Sequence, residues 1–280
     1  MKLAADNLSD PVWQTIRQET ECHAEKEPIL ASFLHATILN HHSMETALSF
    51  HLANKLDSAT VSAMLVREVI QEAMQKSKHI SMAIRADLLA IKDRDPAFSA
   101  LSAPFLYYKG YHALQAYRVA HWLWSEKRKS LALFLQNQIS VVFGVDIHPA
   151  ARVGKGVLLD HGTGIVIGET AVVEDDVSIL QSVTLGGTGK ESGDRHPKIR
   201  RGVLLSAGAI VLGNIEVGIG AKVGAGSVVL KNVPPHTTVA GVPAEVVGKP
   251  KSTSPALDMN HQISCDMECE EKKAKADKLN

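Results

Sequence analysis

The chain has 280 residues, of which 45% are hydrophobic, and its 30 lysines and arginines are balanced by 30 aspartates and glutamates. This length allows two modest domains, each with its own hydrophobic core. Because the charges cancel, the sequence offers no overall field that would attract nucleic acid or an anionic membrane, and we expect neither as a partner. A small-molecule substrate fits this charge balance better.

The first half of the chain is predicted to form an all-α domain over residues 1–143. Residues before about Pro11 look frayed, and from there the apolar spacing is helical. Apolar stripes predict helices through 29–38, 44–52, 61–70, 80–89, 108–124 and 131–142. Ser58 is the expected cap of the third helix, and Pro96 disfavours helical geometry at Asp95, where the fourth should end. We expect neither a membrane span nor a signal peptide, because no apolar run is long enough.

The second half repeats aliphatic residues at every sixth position, a period of neither an amphipathic helix nor a half-buried strand. The register predicted is Ile147, Val153, Leu159, Ile165, Ala171, Val177, Val183 and, after an interruption, Ile199, Leu205, Val211, Val217, Val223 and Val229. Short strands joined by tight corners bury one side chain per unit when the units stack into a parallel β-helix. The pattern therefore predicts such a domain over 144–250 and an α+β chain overall. Glu169, Asp175 and Gln181 stand where small corner residues are expected, so the middle coil should be the least regular.

Between Val183 and Ile199 the repeat is interrupted by more than two hexads, so a loop must leave the prism there. Loops of this size in a compact domain tend to be functional. The loop ends in Arg195-His196-Pro197, and the coils end where Pro234 and Pro235 would stop the backbone ladder.

Residues 251–280 are rich in lysine, glutamate, aspartate and serine, and we expect a disordered tail. Cys265 and Cys269 lie in it, and with Asp266 and Glu268 they offer a metal site that we consider less favoured than a solvated tail. Together with Cys22 they make no plausible disulfide framework, so we expect a reducing, cytoplasmic compartment.

Three histidines lie in polar contexts in or beside the coils: His148, His161 and His196. Histidine is the side chain best suited to act as a base near neutral pH. Leu159 should point inward, so Asp160 should point outward by alternation. Taking one coil as three hexads, we expect Asp146 on the same face as Leu159, one coil below, which makes a carboxylate near the imidazole of His161 plausible.

The hexad pattern and the closing segment from Val233 to Ala244 resemble the hexapeptide-repeat acyltransferases, whose β-helix is left-handed. The helical domain before the coils, with Ala113 to Arg118 and His121 to Trp124, looks like that of the serine acetyltransferases. This resemblance implies a serine O-acetyltransferase that gives O-acetyl-L-serine from acetyl-CoA and L-serine, toward L-cysteine. No cysteine lies in the repeat and no serine sits in a nucleophile elbow, so we expect direct attack in a ternary complex rather than a covalent acyl-enzyme, and we expect no metal.

The resemblance assigns roles to the matching residues. His161 would be the general base, and Asp146 would orient it. Serine would be bound by Asp95, Asp160, Arg195 and His196, with the Arg195 guanidinium as the fork for its carboxylate. Coenzyme A would lie along a groove between prisms at Gly187, Ala207 and Ala225, with Lys222 available to a phosphate. Asp95 has a second interpretation, because an aspartate before proline is also a common helix terminator.

The resemblance further implies a homotrimer through the prisms, two trimers joined by the helical domains, and feedback inhibition by L-cysteine. Members of the family often end in an isoleucine that inserts into O-acetylserine sulfhydrylase; this sequence ends in Asn280, so that association is doubtful. Three alternatives stay open: another small hydroxyl acceptor, a zinc carbonic-anhydrase-like hydrase, and a non-catalytic scaffold. The closely spaced pair of histidines that binds zinc in such hydrases is missing from this sequence. The presence together of Asp146, Asp160, His161, Arg195 and His196 argues against a scaffold.

Overall fold

The computed structural model describes residues 10–189 and 192–263, and it divides after Gly144 into a helical unit and a β unit. The predicted α+β class, with an all-helical part followed by a parallel β-helix, is confirmed. In the described ranges, no helix combines the length and the hydropathy that crossing a bilayer requires.

The helical unit begins with a helix that the apolar pattern did not single out. Its helices are α1 (Pro11–Lys26), α2 (Ala31–Leu34), α3 (Met44–Lys55), α4 (Ala63–Lys76), α5 (Lys78–Arg94), α6 (Ser102–Tyr107), α7 (Lys109–Ser125) and α8 (Lys129–Phe143). The carboxylate of Asp10 caps α1 by accepting the backbone N–H groups of Val12 and Trp13. The expectation for residues before Pro11 otherwise lies outside the described residues.

Two details of the predicted helices are wrong. Ser58 does not cap α4: its hydroxyl accepts the N–H of Val61 and closes a turn, while the carboxylate of Asp57 takes the N–H of Ala63, where α4 begins. The stripe predicted over 29–38 is only half buried, because the helix there changes pitch around α2 and leaves Ile29 89% exposed.

Two imidazoles cross in the core of the helical unit. His51 and His112 lie edge to face with their ring centroids 5.0 Å apart, and their Nε2 atoms contact the carbonyls of Leu106 and Phe105 at 2.9 and 2.8 Å. Burial lowers the pKa of His51 to about 4 and that of His112 to about 3. Both rings are therefore neutral in the folded protein at ordinary pH.

These depressed pKa values predict that the helical unit loses stability in mild acid. The histidines of the unfolded chain titrate near 6.5, so their contribution to stability is fully present above that pH. Below it the unfolded state binds protons that the folded state does not bind, and the stability falls. Each ring lowers the free energy of unfolding by about 1.4 kcal/mol per pH unit below 6.5, until the pKa of that ring in the folded state is reached. Urea unfolding at pH 7.5 and 5.5 should show a shallower pH dependence for His112→Gln than for the parent. The exposed His79→Gln, also in the helical unit, is the control, and an unchanged slope in His112→Gln would contradict the explanation.

The β unit is built from short strands: β1 (Val145–Ile147), β2 (Arg152–Val153), β3 (Leu158–Leu159), β4 (Ile165–Ile167), β5 (Val172–Val173), β6 (Ser178–Ile179), β7 (Thr184–Gly186), β8 (Lys198–Ile199), β9 (Leu204–Leu205), β10 (Ile210–Leu212), β11 (Glu216–Val217), β12 (Lys222–Val223), β13 (Val228–Val229), β14 (Thr238–Ala240) and β15 (Glu245–Gly248). They form sheet A (β1-β4-β7-β10-β13), sheet B (β11-β8-β5-β2) and sheet C (β15-β14-β12-β9-β6-β3). Pairing is parallel throughout except between β14 and β15.

The first coil is two residues longer than three hexads, which corrects the predicted register. Ile147 pairs with Ile167, not with Ile165. The inward strand residues of the next coil are therefore Ile167, Val173, Ile179 and Leu185. The predicted residues Ile165, Ala171, Val177 and Val183 are also buried, the last three at corner positions four residues after a strand residue. The middle coil is thus regular.

The extra residues lie in the corner after β3. Gly162 and Gly164 have φ of 78° and 76°, a conformation that glycine adopts without steric cost. Between these two glycines the ladder to the next coil is kept, since Ser182 donates its N–H to the carbonyl of Thr163 at 2.8 Å. A slip of two keeps the alternation of inward and outward side chains, so aliphatic counting alone does not reveal it.

The expectation of a disordered tail is wrong for residues 251–263. A short helix, α9 (Pro255–Asp258), lies against the prism with Ala256 fully buried. The buried hydroxyl of Ser178 donates to the carbonyl of Ala256 at 2.8 Å, and Lys222 Nζ donates to the carbonyls of Asn260 and Gln262 at 2.6 Å each. The rest of the tail, with Cys265 and Cys269, lies outside the described residues.

Candidate active site

The predicted site residues of the prism fall on two of its edges. The corners that lead from sheet C to sheet A stack on each other, with Gly208 donating its N–H to Gln181 and Gly226 to Ala207. We call this row, which includes Asp160 to Gly164, the His161 edge. The corners that lead from sheet A to sheet B hold His148 to Ala150, Gly168 to Thr170 and the loop that ends in Arg195 and His196. We call this second row the loop edge.

The side chain of His161 projects from its edge into solvent. Its side chain is 74% exposed, its φ is 58°, and its Nε2 lies 3.9 Å from Oδ1 of Asp160. Asp160 is 29% exposed at its side chain and points away from the core, as predicted. An accessible imidazole beside a carboxylate can accept a proton from a bound ligand.

On the loop edge, Arg195 is held by a carboxylate that sequence reasoning missed as a site residue. Its guanidinium donates to Oε2 of Glu169 at 2.7 Å and to the carbonyl of Gly193 at 3.1 Å. The hydrogen bond from Arg195 lowers the pKa of Glu169, so this carboxylate is charged at neutral pH. A cavity of about 290 Å³ opens here, and it is lined by Ala150, Arg152, Glu169, Thr170, Ala171 and Asp194.

His196 is packed into the same edge. Its Nδ1 lies 2.9 Å from Oγ1 of Thr170 and accepts the backbone N–H of Thr170 at 3.2 Å. A Cβ on Gly168 would lie 2.0 Å from its Cδ2, so only glycine leaves room for the ring. Burial, and next the positive charge of Arg195, lower the pKa of His196. This imidazole is therefore neutral at pH 7.

His148 is a third residue of the loop edge. Its Nδ1 accepts the backbone N–H of Ala150 at 3.1 Å. Burial lowers its pKa, while the charges of Glu169 and Asp146 oppose that shift. The structure thus gathers His148, Glu169, Thr170, Arg195 and His196. A signal for Glu169 was present in the sequence, because an acidic residue stands at a corner where the repeat predicts a small one. The incorrect register interpreted this residue as an irregularity of the middle coil.

The position of Asp146 corrects one expectation. Leu159 follows Ile147 by two hexads, not three, so the two residues lie in different sheets: Leu159 pairs with Ile179 in sheet C, and Asp146 pairs with Val166 in sheet A. Asp146 therefore shares the sheet that His161 leads into, not the face of Leu159. Its role toward His161 stays a prediction.

Asp95 belongs to the helical unit and does end a helix. Its backbone N–H donates to the carbonyl of Ile91 at 2.9 Å, and its carboxylate accepts the N–H of Ala97 at 2.8 Å. These contacts account for an aspartate before Pro96. Its role in binding serine stays a prediction.

The candidates for binding coenzyme A lie in three places. Ala207 and Ala225 are corner residues of the His161 edge, and Gly187 begins the loop beside Arg195. Lys222 differs from the expectation, because it is 3% exposed and its ammonium is occupied by two carbonyls of the tail. Within 10–189 and 192–263, no group of three or more His, Cys, Asp or Glu side chains is arranged to hold a metal ion.

The two edges are separated within one chain. They lie at opposite ends of β4, and Gly164 and Gly168, which flank this strand, are about 13 Å apart at the rise of an extended strand. The length of serine is about 4–5 Å by its bond lengths. Because Arg195 and His196 contact Glu169 and Thr170 at the far end of this gap, we expect that a serine in contact with His161 does not reach them in the same chain.

Known proteins resemble this chain over most of its length. A family model described as "Serine acetyltransferase, N-terminal" matches residues 12–116. The serine acetyltransferase of Salmonella typhimurium is 60% identical over 253 residues, which cover 90% of this chain and 93% of that protein.

Solved structures agree with the sequence matches. A serine acetyltransferase in complex with cysteine has a TM-score of 0.89 at 58% identity, covering 92% of this chain and all of the other. The Brucella abortus serine acetyltransferase in complex with coenzyme A has a TM-score of 0.86 at 53% identity, covering 88% of this chain and 98% of the other. By these matches, the chain belongs to the serine acetyltransferase family and is an acyltransferase.

Proposed function

We propose that the enzyme transfers the acetyl group of acetyl-CoA to the hydroxyl of L-serine and releases coenzyme A and O-acetyl-L-serine, the precursor of L-cysteine. The observation that carries the assignment to residues is the exposed imidazole of His161 beside Asp160. Relatives that match nearly their whole length are serine acetyltransferases, so a different acceptor or a zinc hydrase is not favoured.

In the proposed mechanism His161 is the general base. As serine Oγ attacks the thioester carbonyl carbon, its proton passes to the imidazole of His161, and the carbonyl oxygen gains the negative charge. Collapse of the tetrahedral intermediate re-forms the carbonyl and breaks the C–S bond. The departing thiolate takes the proton from His161, which returns the base to its starting state. Asp146 orients the imidazole in this scheme.

Serine is a zwitterion, so its site needs a cation and an anion. On the loop edge the Arg195 guanidinium binds the carboxylate, aided by His196. On the His161 edge Asp160 binds the ammonium group. L-Cysteine carries the same two charged groups and a thiol in place of the reacting hydroxyl, so it inhibits by occupying this site. A relative solved with cysteine supports that proposal.

Because the two edges are too far apart in one chain, we assign each site to two copies of it. A homotrimer around a threefold axis places the His161 edge of one copy against the loop edge of the next. The outward face of sheet A supports such an interface, because one row across its strands carries Val166, Thr184, Ile210 and Val228, three of which are aliphatic. Coenzyme A would lie in the groove between the prisms, against Gly187, Ala207 and Ala225. Two trimers joined through helical units make the larger assembly, and exposed Ile29 is one apolar residue available to that contact.

Release of free thiol from acetyl-CoA tests the function directly. We expect release with L-serine and little with L-alanine, which keeps the ammonium and carboxylate groups but lacks the hydroxyl. Equal rates with the two amino acids would indicate hydrolysis of acetyl-CoA and would overturn the proposed acceptor. No release above background would do the same and would direct the search to other small hydroxyl compounds.

A further inference from the structure

The hydroxyl of Thr170 contacts both residues of the Arg195–His196 segment. Its Oγ1 accepts the backbone N–H of Arg195 at 3.0 Å and that of His196 at 3.1 Å. With two donors pointing at this oxygen, the hydroxyl must donate, and His196 Nδ1 lies within hydrogen-bond distance at 2.9 Å, with the carboxylate of Asp194 as a second acceptor near it. One hydroxyl therefore fixes the backbone of both residues and one nitrogen of the ring.

The ring of His196 is thereby restricted to one tautomer. Its Nδ1 accepts from both the hydroxyl and the backbone N–H of Thr170, so it carries no proton. In a neutral imidazole the proton must then lie on Nε2. A ring turned over by 180° would place Cδ2 instead of Nδ1 against Thr170 and would lose both hydrogen bonds.

We propose that Thr170 is a positioning residue that fixes His196 as an Nε2–H hydrogen-bond donor toward the carboxylate of the bound amino acid. This inference rests on the proposed function, which assigns that carboxylate to the loop edge. The substrate carboxylate then meets one charged donor, Arg195, and one neutral donor, His196. It follows that His196 is not a second base, since its Nε2 has no lone pair to offer, and that His161 and His196 have opposite roles.

The tautomer can be read without any activity measurement. Solid-state ¹⁵N NMR of the sedimented protein, labelled in its histidine side chains, separates protonated from unprotonated ring nitrogens. The His196 signals are identified as those lost in His196→Gln. We expect an unprotonated Nδ1 and a protonated Nε2 at pH 7.5. A proton on Nδ1 in the parent would overturn the inference and leave the proposed reaction intact.

Kinetics of matched variants test the positioning role. Thr170→Val keeps the branched shape and removes the hydroxyl, and we expect it to raise the KM for serine about tenfold or more, as expected for a weakened hydrogen bond to a charged group. The KM for acetyl-CoA should change less than about twofold, and Thr170→Ser, which keeps the hydroxyl, should stay near the parent. Equal changes in both KM values, or a Thr170→Ser as poor as Thr170→Val, would indicate a general structural role and overturn the proposal.

Variants of His196 itself keep the test decisive if Thr170→Val does not fold. Glutamine can place an N–H at the position of Nε2, whereas asparagine reaches only that of Nδ1. We expect His196→Gln to retain tighter serine binding than His196→Asn, and the reverse order would contradict an Nε2–H donor. If the parent shows no serine-dependent thiol release, the proposed function fails, while the NMR measurement still decides the contact between Thr170 and His196.

Discussion

Replacing His161 with alanine is expected to lower kcat for serine acetylation by about 10²–10⁴, the usual loss when a general base is removed. The side chain is 74% exposed, so its removal leaves no cavity in the core. The melting temperature should therefore change little. The measurement is thiol release at saturating acetyl-CoA and serine, together with thermal unfolding of the same samples.

The prism supplies a matched control for this substitution. His236 is also an exposed histidine at a corner, with φ of 51° against 58° for His161. Alanine in either position meets the same left-handed backbone strain. His236→Ala should thus share any loss of stability and keep parental kcat. A His161→Ala enzyme with parental kcat, or a His236→Ala enzyme equally impaired, would remove His161 from the mechanism.

Mixing two impaired variants is expected to restore activity that neither has alone. Suppose that each site takes His161 from one copy and Arg195 from the next. In every mixed trimer of His161→Ala and Arg195→Ala chains, one of the three sites then holds both native residues. Random refolding of an equal mixture should recover about one quarter of parental activity at a serine concentration near the parental KM.

If one chain contained the whole site, the mixture would be no more active than the mean of its two components. The double variant His161→Ala/Arg195→Ala, mixed with the parent, is the control. In these mixed trimers the double variant removes every site at its two interfaces, so activity should fall below simple dilution.

The β-helix could be predicted because its cause is local and repeated. Each turn of the β-helix must bury one aliphatic side chain per face, and aliphatic residues therefore recur at every sixth position of the sequence. Helix α1 was missed because two of its four buried residues are Thr20 and Ala24, which give little apolar contrast. The predicted register is wrong from Gly162 onward because Ile165 and Ile167 are both buried, so a count that ends on either residue places an aliphatic side chain in the core.

The candidate site was predictable only in part, because its contacts cross long stretches of chain. His161, Arg195 and His196 stand out as polar residues in distinctive contexts. Thr170 and Glu169 contact residues 26 positions away, across the loop, and no local pattern links them. Which edge each residue occupies depends on the corrected register, so the separation of the two edges followed only from the strand pairing.

The ladder of sheet B closes across the interrupting loop as if the loop were not there. Val173 on one side pairs with Ile199 on the other, in the same parallel register as the uninterrupted coils. The part of the loop before Arg195 can therefore change in length without breaking the ladder of the prism. Arg195 and His196 cannot change as freely, because they are anchored to Glu169 and Thr170 of the coil below, so we expect sequence divergence to concentrate in the part of the loop before them.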